Sequence, residues 1–353
     1  MKIAILGDTH FGMRGDSLAF HNHYREFYTK VFFPYIEEHG IKTIVQLGDL
    51  FDRRKYISFQ TLALCRKYFF DIMRDKNIQF YTLLGNHDIT FKNTLKVNSP
   101  QLLLKDYPNV WIFDKPHKSE FGIDIIPWIC QENEAEIKEF IKNSSNNYCF
   151  GHFELAGFEM DRGNICHDGM DASILDKYDL VLSGHFHHKS TNGKIVYVGT
   201  PGEMTWADYN DERGFHIFDT ETGDMEFIKN PYTIFNKIKY NDDDMFYNDV
   251  VNADYSNLTG KYVKIVVEKR TNAFLFDAFI DCVTKANPLD VSVVEDFTEI
   301  TNSDVDVDVD QGEDTITILD KYVDGLTLPV ESGKIKNILR EVYFEAMSLD
   351  NSE

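Results

Sequence analysis

Five apolar runs of strand length in this chain end in glycine followed at once by a residue able to ligate a metal. They are KIAIL (2–6) before Gly7-Asp8, TIVQL (43–47) before Gly48-Asp49, FYTLL (80–84) before Gly85-Asn86, YCF (148–150) before Gly151-His152, and LVLS (180–183) before Gly184-His185. One Gly-Asp pair is an ordinary turn dipeptide. Five strand ends of this kind, with His10, His87 and His187 beside three of them, constrain the fold far more. In α/β sheets ligands gather beyond the carboxyl ends of the strands, so such ends converge on one site. Glycine there permits a sharp turn and close backbone approach.

The donors at these ends are Asp8, His10, Asp49, Asn86, His152, His185 and His187: two carboxylates, one amide oxygen and four imidazoles, with no thiolate. A mixed nitrogen and oxygen set suits manganese, iron or zinc better than calcium or copper(I). Seven donors exceed one four-coordinate ion and fit two ions sharing a bridging carboxylate. Two metals roughly 3.5–4 Å apart activate a water and stabilise both oxygens of an in-line phosphoryl displacement. Phosphate-ester hydrolysis is the reaction class this set points to.

The first half alternates these strands with helix-like stretches, which predicts a layered α/β domain. In SFQTLALCRKYFFDIMRDK (58–76), Phe59, Leu62, Cys65, Phe69, Ile72 and Met73 recur at near-helical spacing. Past about residue 230 the pattern changes. The polar stretch 241–260 reads as a connection, residues 262–298 as a small strand–helix–strand unit, and the acidic run 301–314 as a solvated linker. From 315 two apolar stripes follow, Ile316, Ile318, Leu319, Tyr322 and Val323, then Ile335, Ile338, Leu339, Val342, Tyr343 and Met347, predicting a helical tail to residue 353. The expected division is therefore 1–230, 231–300, 301–314 and 315–353.

Net charge is −22, but 33 acidic and 27 basic side chains in 1–240 leave that part near neutral, against 25 and 9 in 241–353. The acidity belongs to the C-terminal third, so a nucleic-acid substrate for the first part is not excluded. Five scattered cysteines (Cys65, Cys130, Cys149, Cys166, Cys282), none spaced as CxxC, argue for a reducing compartment and against a cysteine zinc site. No apolar stretch reaches the ~18 residues of a membrane span, and MKIAILGD is too short for a signal peptide. A cytoplasmic protein is expected.

GDTH (7–10), GDLFD (48–52), GNHD (85–88), GHFE (151–154) and GHFH (184–187) resemble, in order and spacing, the motifs of the calcineurin-like metallophosphoesterases over about residues 1–220. Within that superfamily the chain is most similar to the SbcD/Mre-eleven-type recombination nucleases. IQFYTLLGNHD, DYPNV, IFDKP, IDIIPW and RGFHIFDTETG fit the nuclease subunit of T-even-type phages especially well. The resemblance implies a metallophosphoesterase β-sandwich flanked by helices, with a small α/β cap and a C-terminal helical segment. It also implies one metal on Asp8, His10, Asp49 and His187 and another on Asp49, Asn86, His152 and His185, with Asp49 bridging and manganese the usual ion. His87 would protonate the leaving oxygen, with Asp88 orienting its ring. Where many members carry a histidine, this chain has Asp52.

The same resemblance implies a DNA nuclease, 3′-to-5′ on duplex ends and endonucleolytic on single strands, in repair, recombination and replication. Its partners would be a second copy, through residues 58–76 and about 98–106, and an SMC-like coiled-coil ATPase held by the tail. The aromatic content of 58–76, more than one buried face requires, accords with a homodimer. Rival expectations are a protein phosphatase or cyclic-nucleotide phosphodiesterase on the same metal site, or a non-catalytic adaptor of the ATPase. Arg53, Arg54 and Lys55, just after the bridging-ligand motif, are candidate contacts for DNA phosphates. His188 reads as a surface residue; His21, His23, His39, His117, His167 and His216 read as structural or exposed.

Overall fold

The computed structural model describes residues 1–295 except Arg162 and Asp244, together with Val323, Ile335, Lys336 and Leu339. The chain divides into two units, Met1–Glu295 and Asp296–Glu353. The expected linker 301–314 and helical tail 315–353 lie outside the described residues, apart from those last four positions, which are helical.

Five strands carry the site: β1 (Lys2–Leu6), β2 (Thr43–Gln46), β3 (Gln79–Leu83), β4 (Tyr148–His152) and β5 (Leu180–Gly184). The first three lie side by side and parallel in a six-stranded sheet, flanked by antiparallel Gly214–Asp219 and Met225–Lys229 on one side and parallel Val110–Phe113 on the other. The other two are parallel neighbours in a second six-stranded sheet, between Ile195–Tyr197 and Ile123–Ile126, with short antiparallel edges at Ser190–Thr191 and His117–Lys118.

Period-two alternation sorts the side chains. Ile3 and Ile5 of β1, and Val45 just before the end of β2, join Phe150 and Leu182 in one apolar layer between the sheets. Ala4, Leu6, Ile44 and Phe80 point the opposite way, into a core shared with the N-terminal helices. Cys149 and Val181 point outward from the second sheet toward Ile137 and Ile141 of the helix Glu134–Asn143. The order is helix, sheet, sheet, helix, and strands buried on both faces read as continuous apolar runs.

The expected 58–76 helix is present with a difference. Phe59–Cys65 and Asp71–Asp75 are α-helical, but Arg66–Phe70 widens to an i→i+5 turn, as does Tyr28–Phe32 in the preceding helix. The two wide turns pack together, with Tyr28 and Phe69 rings 4.6 Å apart. The extra residue per turn lets Tyr68, Phe69 and Phe70 all enter the core. The chain thus absorbs Tyr68, Phe69 and Phe70, while Phe59 stays 90% exposed.

Beyond Asn230, three parallel strands, Phe235–Asn241, Tyr262–Lys269 and Asp290–Glu295, form a separate small sheet with the helix Ala273–Lys285. Asn272 caps that helix by accepting from Leu275 N, and Leu275, Phe276, Phe279 and Val283 face inward. The strand 235–241 was not expected. Nor is 241–260 merely a connection: it forms the helix Tyr247–Asn252 and a turn at Ser256–Leu258, and buries Val250 and Leu258 in this core. Among the described residues no helix is long and apolar enough to cross a membrane.

Candidate metal centre

All five strand ends meet at one edge of the sandwich. The loops there pack so closely that side chains are excluded. A Cβ on Gly85 would sit 2.1 Å from Asp49 Oδ1, and one on Gly184 would sit 2.3 Å from the Leu47 carbonyl. His10, Asp49 and His185 adopt positive φ (40°, 53° and 89°), a conformation that non-glycine residues hold only where the surroundings impose it. Backbone bonds tie the first two loops, with His10 N donating to Asp49 O (3.1 Å) and Phe11 N to Leu50 O (2.9 Å).

The seven predicted donors come together in two groups. Asp8, His10 and His187 offer one donor atom each within 4.8 Å of the others, and Asp49, His152 and His185 do the same. Asn86 Oδ1 lies 2.9 Å from His152 Nε2 and 3.1 Å from His185 Nδ1, joining the second group. Asp49 Oδ2 is 3.8 Å from His10 Nε2 and 3.3 Å from His152 Nε2, between the groups, where a bridging carboxylate belongs. His152 Nδ1 bonds the Leu47 carbonyl (2.7 Å), which leaves Nε2 to face inward. His10 Nε2 and His187 Nε2 face each other at 3.1 Å. Without a metal, one ring can donate to the other at that distance; with both rings unprotonated there, the two lone pairs face a common point that a cation can occupy. The donor set and this facing pair fit divalent cations.

Charge in the site follows from burial. Burial is the main force lifting the Asp8 carboxyl to about 7. For His10 burial opposes the charged ring, but Asp52, Asp49 and Asp8 outweigh it and raise the pKa to about 9. His152 reaches about 9 in the same way, through Asp49 and Asp8. Burial and the neighbouring imidazoles push His185 down to about 3. A metal needs neutral rings and ionised carboxylates, so binding must expel the protons on His10 and His152. Affinity for a divalent cation should therefore weaken as pH falls below about 9. Calorimetry at pH 7 in buffers of different ionisation heat should find more than one proton released; finding none would contradict this account.

His87 stands beside the first group, its ring 4.8 Å from that of His10. The expectation that Asp88 orients it is corrected. His87 Nδ1 bonds the backbone carbonyl of Asp52 (2.7 Å), while the Asp88 carboxylate accepts from the backbone N–H groups of Gly85, Leu50 and Phe51 at 2.9, 3.0 and 3.3 Å. Adjacent side chains on this turn diverge, so Asp88 clamps the loops of Asp49 and Asn86 together. Arg53 is held by Asp16 (3.0 Å) and lies over Tyr56, Arg54 is half-buried, and Lys55 is exposed.

His188, read as a surface residue, is partly exposed but tied inward. Its Nδ1 pairs with Asp211 at 2.8 Å, and Asp211 in turn pairs with Arg213 (2.7 Å). Arg213, 4% exposed, also bonds Asp208, Thr200 and the carbonyl of His187, so it pins the loop bearing two ligands. Losing the guanidinium would leave the buried Asp208 carboxylate without its counter-charge, at about 3–5 kcal/mol. Sequence reasoning missed this residue; its signal was an arginine ahead of the strand Gly214–Asp219. Trp128 was missed as well, its ring 5.2 Å from that of His185 and 5.8 Å from that of His152. His21, His23 and His216 are buried, while His39, His117 and His167 are exposed.

A two-sheet sandwich with this centre at the carboxyl ends of its strands defines a phosphoesterase, and the chain belongs to the calcineurin-like phosphoesterase family, whose model matches residues 1–189. Over 351 residues it is 35% identical to exonuclease subunit 1 of Enterobacteria phage T4, covering 98% of this chain and 99% of that protein. A solved structure described as a novel archaeal phosphodiesterase matches at 15% identity, covering 65% of this chain and 99% of its own, with a TM-score of 0.33, too loose a likeness to place any residue.

Proposed function

We propose that this chain is a manganese-dependent DNA nuclease that processes double-strand ends in repair and recombination, as a 3′-to-5′ exonuclease on duplex and an endonuclease on single strands. The observation that carries the reading is the pair of donor groups on either side of Asp49 with His87 alongside, in a chain related over its whole length to an exonuclease subunit. Asp8, His10, Asp49 and His187 would hold one ion and Asp49, Asn86, His152 and His185 the other. Two divalent ions supply an activated water and charge for both oxygens of the displacement.

The chain's own groups do the rest. His87 gives its Nδ1–H to the Asp52 carbonyl, which leaves Nε2 to carry the proton delivered to the leaving oxygen. Asp88 and Arg213 hold the ligand loops in place, and the tight turns at Gly85 and Gly184 keep the donors converged. Of the basic run, Lys55 is the residue most open to a DNA phosphate.

We assign catalysis to residues 1–230, a cap to 231–300, and capture of an SMC-like ATPase to 315–353 behind the linker 301–314. A homodimer would use 58–76 and about 98–106, where Phe59 and Leu102 are 90% and 65% exposed. The test is one panel: manganese with end-labelled duplex, single-stranded DNA, a phosphopeptide and a cyclic nucleotide, using the full chain and a chain ending near residue 300, with and without the ATPase. Cleavage of DNA by both chains, with ATPase capture by the full chain alone, is expected. Hydrolysis of phosphopeptide or cyclic nucleotide without DNA cleavage would overturn the nuclease reading.

A further inference from the structure

We propose that Asp52 positions His10 for metal binding, its carboxylate lying behind the ring so that Nε2 is turned into the site. The inference rests on the two-metal reading above. His10 is 1% exposed, and its buried Nδ1 makes no hydrogen bond among the described residues; Asp52 Oδ1 lies 3.5 Å away, within ion-pair range. On the opposite side of the ring, Nε2 faces His187, Asp49 and Asp8 at 3.1, 3.8 and 3.9 Å. The ring is thus held between a carboxylate behind and the metal donors in front. An imidazole that ligates through one nitrogen and gives its other N–H to a carboxylate has its tautomer and orientation fixed, and its basicity raised.

Backbone pairing creates this arrangement. Phe11 N donates to Leu50 O and Asp52 N to Phe11 O (3.2 Å), so the segment after His10 runs beside the segment after Asp49. That register brings residue 52 against the ring of residue 10. The neighbouring cation does not compete for the carboxylate, because Arg53 is bonded to Asp16 and packed on Tyr56.

Residue 52 reaches two imidazoles through different groups: His10 through its side chain and His87 through its backbone carbonyl. A substitution removes the first contact and keeps the second, which makes the test specific. The full chain is titrated with manganese alone, by calorimetry, as wild type, Asp52→Ala, Asp52→Asn and Asp52→Glu. Asp52→Ala should bind one of the two ions about 10- to 100-fold more weakly and the other as wild type does. Asp52→Asn, of the same shape without the charge, should fall between, and Asp52→Glu should recover part of the loss. Asp52 is also a counter-charge of the His10 ring, so metal-free melting temperatures of Asp52→Ala and Asp52→Asn should fall modestly and alike, while weaker binding stays confined to one ion, which general damage to the fold would not allow.

Asp52→Ala binding both ions at wild-type strength would overturn the proposal, as would equal weakening of both. If Asp52→Ala does not fold, unchanged binding by Asp52→Asn overturns it instead. No DNA enters the assay, so a wild-type chain that binds two ions and cuts nothing would sink the nuclease reading and leave this one standing. A wild-type chain that binds no manganese would sink the two-metal reading and this proposal together.

Discussion

Asp49→Ala should lose both metal ions and all cleavage. Its Oδ2 lies between the two donor groups, 3.8 Å from His10 Nε2 and 3.3 Å from His152 Nε2. No other carboxylate is so placed among the described residues. The loss in affinity should exceed the ~10–100-fold typical of removing only an outer partner of a ligand. Asp49 is also the buried counter-charge of two raised imidazoles, so the metal-free alanine variant should be less stable; Asp49→Asn keeps the shape and controls for this. Two tightly bound manganese ions in either variant, counted by calorimetry, would show that Asp49 is not the bridge.

His87→Ala separates binding from chemistry. Its ring lies beside the first donor group and bonds a backbone carbonyl, and it belongs to neither group. The variant should keep both ions and bind DNA, while single-turnover cleavage falls about 10²- to 10⁴-fold, the usual value of a positioned proton donor. A leaving group that needs no protonation, such as p-nitrophenolate, should recover most of the rate. Loss of metal from the variant would make His87 a ligand and reverse the division of roles.

The site was legible because its signals are local. A glycine and a donor at a strand end are adjacent in sequence, and parallel sheets gather such ends without further information. What was misread depended on direction. Asp88 follows His87 and was paired with it, yet consecutive side chains on the turn diverge, and Asp88 serves three backbone amides instead. His188 was separated from the motif for the same adjacency, although Asp211 and Arg213, far along the chain, draw it into the network behind His187. The wide turn at Arg66–Phe70 has no local signature, since it answers a second wide turn some forty residues earlier. In the small sheet, FNKIKYN alternates too many polar residues to stand out, and only its pairing with Tyr262–Lys269 makes it a strand.

The site is also a seam. Asp8, His10, Asp49 and Asn86 come from one sheet's strand ends, and His152, His185 and His187 from the other's, so each ion would act as a rivet driven through both layers at a single edge. A rivet fits only while its holes stay in register, and a displacement of about 1 Å can cost on the order of 10²-fold in rate. The apolar layer where Ile3, Ile5 and Val45 meet Phe150 and Leu182 sets that register. Chemistry in this chain is thus tuned from a distance: a swap of one aliphatic side chain for another between the sheets, nearly silent in a melting curve, would slide the layers and blunt a catalyst whose every ligand is intact.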